Sequence, residues 1–153
     1  MLTKTQAQLS TLYDADYQGW IQETVARLKA RDFGHLDLDH LIEEIESLGK
    51  SDRRALYSDV LRLCEHLLKL KYWESERERC FRGWVLEINH FRADIALLLK
   101  DSSSLRPTLD DAFASAYPKA RKALLKAMIC SPSRIPTTAD FTLDQALDED
   151  WLP

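Results

Sequence analysis

Two pairs of side chains in this sequence have the spacing of metal ligands. Asp37 and His40 are three residues apart, and so are Glu87 and His90, which is the carboxylate–histidine spacing that di-iron helical bundles use. Nearby glutamates could add ligands: Glu43, Glu44 and Glu46. Such ligands must converge on the bundle core, but on a helix both histidines point away from the apolar residues of their own segment. We therefore predict no metal and no other cofactor, with His40 and His90 solvated.

A third histidine, His66, lies at the edge of the most apolar segment of the chain. We predict that it is mostly buried and hydrogen-bonded, because an unpaired buried imidazole costs about 1–3 kcal/mol. The expected partner is Glu46 or another acidic residue of 43–46, with Arg92 nearby. The predicted polar binding cluster comprises Glu43, Glu46, His66, Lys69 and Arg92.

This cluster has two interpretations. It fits a structural network that fixes the register of packed helices. Acid–base catalysis would also need a cleft and a nucleophile or substrate anchor. The sequence identifies neither, so we assign no catalytic residue.

Basic and aromatic residues interleave in the middle of the chain, a pattern typical of proteins that stack nucleic-acid bases. The residues are Lys69, Lys71, Tyr72, Trp73, Arg77, Arg79, Phe81, Arg82 and Trp84. However, Glu74, Glu76 and Glu78 alternate with the arginines and nearly cancel their charge. The chain as a whole is acidic, with a net charge of −4, and this argues against binding to phosphate backbones.

Composition is that of one globular domain: 153 residues, 45% hydrophobic and 30% charged. No apolar run is long enough to cross a bilayer, and the first residues lack the apolar core of a secretory signal, so we predict a cytoplasmic protein without membrane contact. Three cysteines, far apart, indicate neither a disulfide framework nor a zinc site. Residues 1–49 carry a net charge of −5 and residues 50–82 a net +3. This asymmetry favours self-complementary surfaces, and hence a protein partner or self-association, and it could also mark a modest patch for an anionic partner.

Apolar spacing predicts helices along most of the chain. The first should cover residues 14–31 with Asp14 as its N-cap, and residues 1–12 should form a loose N-terminal arm. Asp37 should cap a second helix. Its apolar stripe consists of Leu38, Leu41, Ile42, Ile45 and Leu48.

The second helix has two possible ends. Leu38 and Leu56 fall at the same angle around a helix, because eighteen residues make five turns, so one register continues across Gly49. We favour one long or slightly bent helix over residues 37–72. The alternative is a break, with Ser51 as a new N-cap.

The stretch 56–70 is apolar around roughly half of the helix, which predicts contact from two sides and a central position. Residues 73–79 should be a polar connection, followed by a helix over 78–100. Pro107 fits the first turn of the next helix, and Pro118 should kink or split that helix.

The C-terminal part should be a loop over residues 131–140 and a short helix over 143–149. Thr142 and Gln145 form the capping box that opens this helix, and residues 131–153 should pack on the other helices. The predicted fold is therefore a single all-α domain. It is an antiparallel helical bundle of about four to five main helices plus a short C-terminal helix.

Six motifs occur in order along the chain. They are Y-D-x-D-(x3)-W from Tyr13, E-E-I-E-S-L-G at 43–49, C-E-H-L-L-K at 64–69, Trp84-x3-Ile88-x3-Arg92, S-S-L-R-P at 103–107 and D-E-D-W-L-P at the end. Together they resemble the domain of unknown function 29 family, which is bacterial and frequent in cyanobacteria. The resemblance implies an all-helical fold, and it brings no established activity, cofactor or substrate. The matching positions are Glu43, Glu44, Glu46, His66, Lys69, Trp84 and Arg92, whereas Pro118 departs from the family's uninterrupted helix.

These observations leave two hypotheses of different classes. The first, reached by elimination, is a non-enzymatic helical module that binds a partner or assembles with itself. The alternative is a small enzyme with an acid–base or metal site centred on His66. A nucleic-acid-binding module ranks behind both.

Overall fold

The computed structural model describes residues 5–153 and contains only helices and their connections. The α-helices are α1 (Gln6–Ala15), α2 (Tyr17–Ala30), α3 (Leu38–Tyr72), α4 (Glu74–Asp101), α5 (Leu109–Met128) and α6 (Leu143–Leu147). Short 3-10 helices cover Phe33–His35, Ser103–Thr108 and Pro132–Arg134. The predicted all-α helical bundle is confirmed. Two compact units divide the chain after Lys50, and α3 contributes to both.

The N-terminal unit begins with two helices where the sequence predicted one. Thr5 and Gln8 form a capping box that opens α1, and Asp16 caps α2 through its bond from the Gly19 N–H. The predicted cap at Asp14 is therefore wrong, as is a loose arm over residues 6–12, which are helical; residues 1–4 lie outside the described part. The capping box of Thr5 and Gln8 is a local start signal for a helix, and it is read from residue types rather than from apolar spacing.

The core of this unit is small. Leu9, Trp20 and Leu36 are its buried apolar side chains. Arg27 is buried beside them, and its guanidinium donates hydrogen bonds to the His35 carbonyl and to Glu23. A charged side chain therefore links the end of α2 to the turn that follows it.

Helix α3 is continuous over 35 residues. The predicted single helix over 37–72 is confirmed, and the break at Gly49 is not present. In the C-terminal unit α3 buries Leu56, Val60, Leu63, Cys64, Leu67, Leu68 and Leu70, more residues than any other helix there. The predicted central position of this stretch is confirmed.

A tight turn joins α3 to α4, with Trp73 as the single residue between them. The Trp73 ring lies 6.2 Å from Trp84, and the His66 ring lies 5.6 Å from Phe91. From the first contact to the second, the chain position moves seven residues back on the α3 side and seven residues forward on α4. The two helices therefore pack antiparallel.

The predicted polar connection over 73–79 is wrong, because α4 already begins at Glu74. The guanidinium of Arg77 donates to the carbonyls of Leu70 and Lys71. It thereby satisfies acceptors that the C-terminus of α3 would otherwise leave free. Arg79 pairs with Glu76 one turn away on α4. The mixed charges of this stretch thus stabilise a helix start.

Helix α5 passes through Pro118 without a split, and Pro107 lies in the 3-10 helix that precedes it. The segment after α5 returns along it, since Tyr117 donates to the Pro136 carbonyl at 2.8 Å and Arg121 to the Ile135 carbonyl at 2.8 Å. The Thr142 capping box opens α6 as predicted.

Candidate functional site

His66 is half-buried in the C-terminal unit and bonded to its own helix. Its Nδ1–H donates to the carbonyl of Arg62 at 2.8 Å, one turn earlier on α3. Burial is the main cause that lowers the pKa of His66, and the nearby ammonium of Lys69 lowers it further. The imidazole is therefore held towards its neutral form. It is hydrogen-bonded, as predicted, but to a backbone carbonyl.

The predicted bond between His66 and Glu46 is wrong. Both residues belong to the single helix α3 and are twenty positions apart, whereas side chains of one helix are neighbours only when they are three or four positions apart. The two predictions, one unbroken helix and a His66–Glu46 pair, therefore exclude each other. Glu43 and Glu46 are both exposed.

Arg92 is buried in α4, with 3% of its surface exposed. Its Nε donates to the Ala146 carbonyl at 2.8 Å and its Nη2 to the Trp151 carbonyl at 2.9 Å. Burial lowers the pKa of Arg92, while Asp148 and Glu149 act in the opposite direction. Arg92 thus holds the C-terminal segment by donating to two backbone carbonyls of that segment.

A polar cluster that the sequence did not predict lies in the N-terminal unit. Asp37 is buried, and its Oδ2 accepts hydrogen bonds from His40 Nδ1 at 2.6 Å and from Trp20 Nε1 at 3.3 Å. The imidazole of His40 stacks on the ring of Tyr13, with 4.0 Å between centroids. His40 is thus held between α1, α2 and the start of α3. The prediction that it is solvated is wrong, whereas His90 is exposed as predicted.

Glu44 extends this cluster by one turn of α3. Its two carboxylate oxygens accept hydrogen bonds from Tyr13 at 2.5 Å and from Tyr17 at 2.6 Å. The bond to Glu44 raises the pKa of Tyr13 to about 12, and the same two hydroxyls lower the pKa of Glu44. We call the set Tyr13, Tyr17, Trp20, Asp37, His40 and Glu44 the polar latch, because it joins α1 and α2 to one side of α3.

The geometry of the polar latch does not match that of a catalytic relay. Ser10 Oγ approaches the same Nδ1 of His40, at 3.5 Å, that is bonded to Asp37, whereas a serine–histidine–carboxylate relay needs the two partners on opposite ring nitrogens. Within the part of the chain that the structure describes, no three carboxylate, histidine or cysteine side chains converge as metal ligands do. One signal for the latch is present in the sequence: Tyr13, Tyr17 and Trp20 recur at helical spacing.

The latch predicts a pH dependence. The hydrogen bond to Asp37 is the main cause that raises the pKa of His40 above its ordinary 6.5. The stabilisation that the His40–Asp37 pair gives to the folded state is therefore complete below pH 6.5. It is lost as the pH rises through the raised pKa of His40. Glu44 has the opposite pH dependence because its pKa is lowered. Its stabilisation of the folded state is complete above its ordinary pKa of 4.5 and is lost as the pH falls through the lowered pKa.

We therefore expect α1 and α2 to be held on α3 most firmly between pH 4.5 and pH 6.5, the ordinary pKa values of Glu44 and His40. Hydrogen exchange of the α1 amides, corrected for the intrinsic pH effect, should speed up on the alkaline side of this window. A His40→Asn variant should lose that alkaline step, while a variant at the exposed His90, His90→Asn, should keep it. An unchanged step in His40→Asn would contradict the assigned role.

Because the polar latch occupies one side of α3, the apolar stripe of its first three turns is left uncovered. Leu38, Ile42, Ile45 and Leu48 are 48%, 54%, 60% and 67% exposed, and we call these four residues the apolar face. A helix normally turns its apolar stripe towards the core. Here α1 and α2 pack instead along the line of Asp37, His40 and Glu44, so the expectation from the stripe is wrong for this part of α3.

The fold defines an all-α helical protein, and in the described residues no helix is both long and apolar enough to span a membrane. The chain belongs to the family described as domain of unknown function DUF29, whose model matches residues 12–152. Comparison with curated proteins and with solved structures gave no significant match.

Proposed function

We propose that this protein is a non-enzymatic helical module that binds another protein or a second copy of itself through the apolar face of α3. One observation carries the proposal: four large apolar side chains, each about half exposed or more, lie along one side of a single helix. Contiguous exposed apolar surface on a soluble protein is a common mark of an interaction site. Leu38, Ile42 and Ile45 have the i, i+4, i+7 spacing by which one helix packs on another.

The setting of the apolar face supports this role. Hydrogen bonds from Tyr13 and Tyr17 fix Glu44, and His40 is held by Asp37. The helix is thereby anchored along one side and displays the apolar face along another. A pre-ordered surface loses less conformational entropy on binding than a flexible one.

The two other hypotheses have less support. His66 uses Nδ1 within its own helix, and a half-buried imidazole beside Phe91 is an ordinary packing arrangement. Arg77 and Arg79 are engaged by carbonyls of α3 and by Glu76, and Trp73 packs near Trp84. Few of these groups are left to stack on bases or to neutralise phosphates.

Photo-crosslinking in cells of the native host tests the proposal. A benzophenone amino acid replaces Ile45, at the centre of the apolar face, in one strain. In the matched control it replaces Ser47, which is exposed and nearly opposite Ile45 around α3. The proposal expects a recurrent covalent adduct from position 45, either with one identified protein or with a second copy of the chain. The Ser47 position should not give it.

The outcome is decided by the difference between the two positions. Equal adduct patterns from both would mean random collision, and no adduct from either would mean that the apolar face is not occupied. Either result contradicts the proposed function.

A further inference from the structure

We infer that the partner presents an amphipathic helix whose apolar stripe is flanked by lysine or arginine; this rests on the proposed function. Each of three acidic residues follows a residue of the apolar face by one position: Asp39 after Leu38, Glu43 after Ile42, and Glu46 after Ile45. All three are exposed. At 100° per residue they form an acidic row along one edge of the apolar face.

The acidic row is available to a partner, unlike the neighbouring carboxylates Asp37 and Glu44. Asp37 and Glu44 are engaged within the polar latch. By contrast, among the described residues the structure records no hydrogen bond or ion pair for Asp39, Glu43 or Glu46. Basic side chains at the edge of a partner's apolar stripe would complement this row.

A second copy of this chain is the competing occupant, and its charge argues against it. Two copies packed antiparallel through the same apolar face would bring their acidic rows to the same side, and in either orientation two segments that each carry a net charge of −5 over residues 1–49 would meet. Like charges at an interface oppose association.

The apolar face also sets the length of the contact. From Leu38 to Leu48 the helix rises about 15 Å, which is close to three turns. The partner segment therefore needs only about three turns of helix, with apolar residues at i, i+3 or i+4, and i+7.

Two synthetic helical peptides test this with the purified full chain. Both carry the same leucine stripe, flanked by lysine in one and by glutamate in the other, and binding is followed by fluorescence anisotropy. We expect the lysine peptide to bind about three- to tenfold more tightly at low salt, the range for a few exposed charge pairs. The preference should shrink at about 1 M salt, where charges are screened beyond about 3 Å.

Charge reversal supplies the control. The double variant Glu43→Lys and Glu46→Lys should invert the preference towards the glutamate peptide. The variant Glu78→Lys and Asp94→Lys makes the same change in net charge at exposed positions of α4 and should leave the preference unaltered. Ile45→Lys should abolish binding of both peptides.

Three outcomes would overturn the inference. These are no binding by either peptide, equal binding of both, and a concentration-dependent dimer in sedimentation experiments that Ile45→Lys dissociates. The dimer would identify a second copy as the occupant. It would leave the proposed function intact, because photo-crosslinking at Ile45 would still give a specific adduct.

Discussion

Leu63→Ala and Leu67→Ala should each lower the free energy of unfolding by about 2–5 kcal/mol, the range for a buried leucine truncated to alanine. Both side chains are buried in the part of α3 that belongs to the C-terminal unit. Truncation removes apolar contacts and leaves a cavity that the surrounding helices fill only partly. Chemical denaturation followed by circular dichroism measures the loss.

The control for these variants is Leu97→Ala on α4. Leu97 is 57% exposed, so its truncation should change the free energy of unfolding by about 0.5 kcal/mol or less, as surface substitutions do. Values this small at both Leu63 and Leu67 would contradict the central position of α3.

Arg92→Met should release the C-terminal segment. The substitution keeps an unbranched apolar stem but removes the hydrogen bonds to the carbonyls of Ala146 and Trp151. Hydrogen bonds from a charged donor contribute about 1.5–3 kcal/mol each, and removing a buried charge offsets part of that loss. We expect a net destabilisation of about 2 kcal/mol or more, with faster hydrogen exchange confined at first to residues 141–153.

Arg106→Met is the matched control. Arg106 lines the same surface depression as Arg92, about 210 Å³ in volume, but is exposed. Its loss should leave exchange in the C-terminal segment unchanged. If Arg92→Met did the same, the carbonyl contacts of Arg92 would not be what holds that segment.

The features that the sequence predicted correctly depend on helical periodicity. The common register of Leu38 and Leu56 identified α3 as one helix, because a break does not preserve register. The wide apolar surface around Leu63 and Leu67 identified the central helix, since only contact from two sides buries it.

The errors have physical causes. The prediction from apolar spacing assumes that a helix packs through its apolar side. In the first turns of α3, however, Tyr13 and Tyr17 donate to Glu44, so α1 and α2 pack on a polar side of the helix. The partners of Arg92 are backbone carbonyls, which every residue carries, so no residue type marks them. Arg77, near the start of α4, caps the C-terminus of α3, and this interaction exists only once the turn at Trp73 has formed.

The site prediction failed mainly at the pairing of His66 with Glu46. A helical wheel compares residues only by their angle around the axis and omits their position along it. Glu46 and His66, which belong to the same helix, therefore looked close together. The resemblance that matched Glu43, Glu46, His66 and Arg92 to a family remains. These residues are distributed over an exposed acidic row, a half-buried imidazole and a buried guanidinium.

The proposed binding function requires that the apolar face is uncovered in the free chain, and isoleucine methyl relaxation by a soluble paramagnetic probe measures this exposure directly. The methyl groups of Ile42 and Ile45 should relax nearly as strongly as that of Ile129, which is 91% exposed. Those of the buried Ile88 and Ile95 should remain protected. If Ile42 and Ile45 were protected like Ile88, the face would be covered in the free protein, and the proposed binding function would lose its basis.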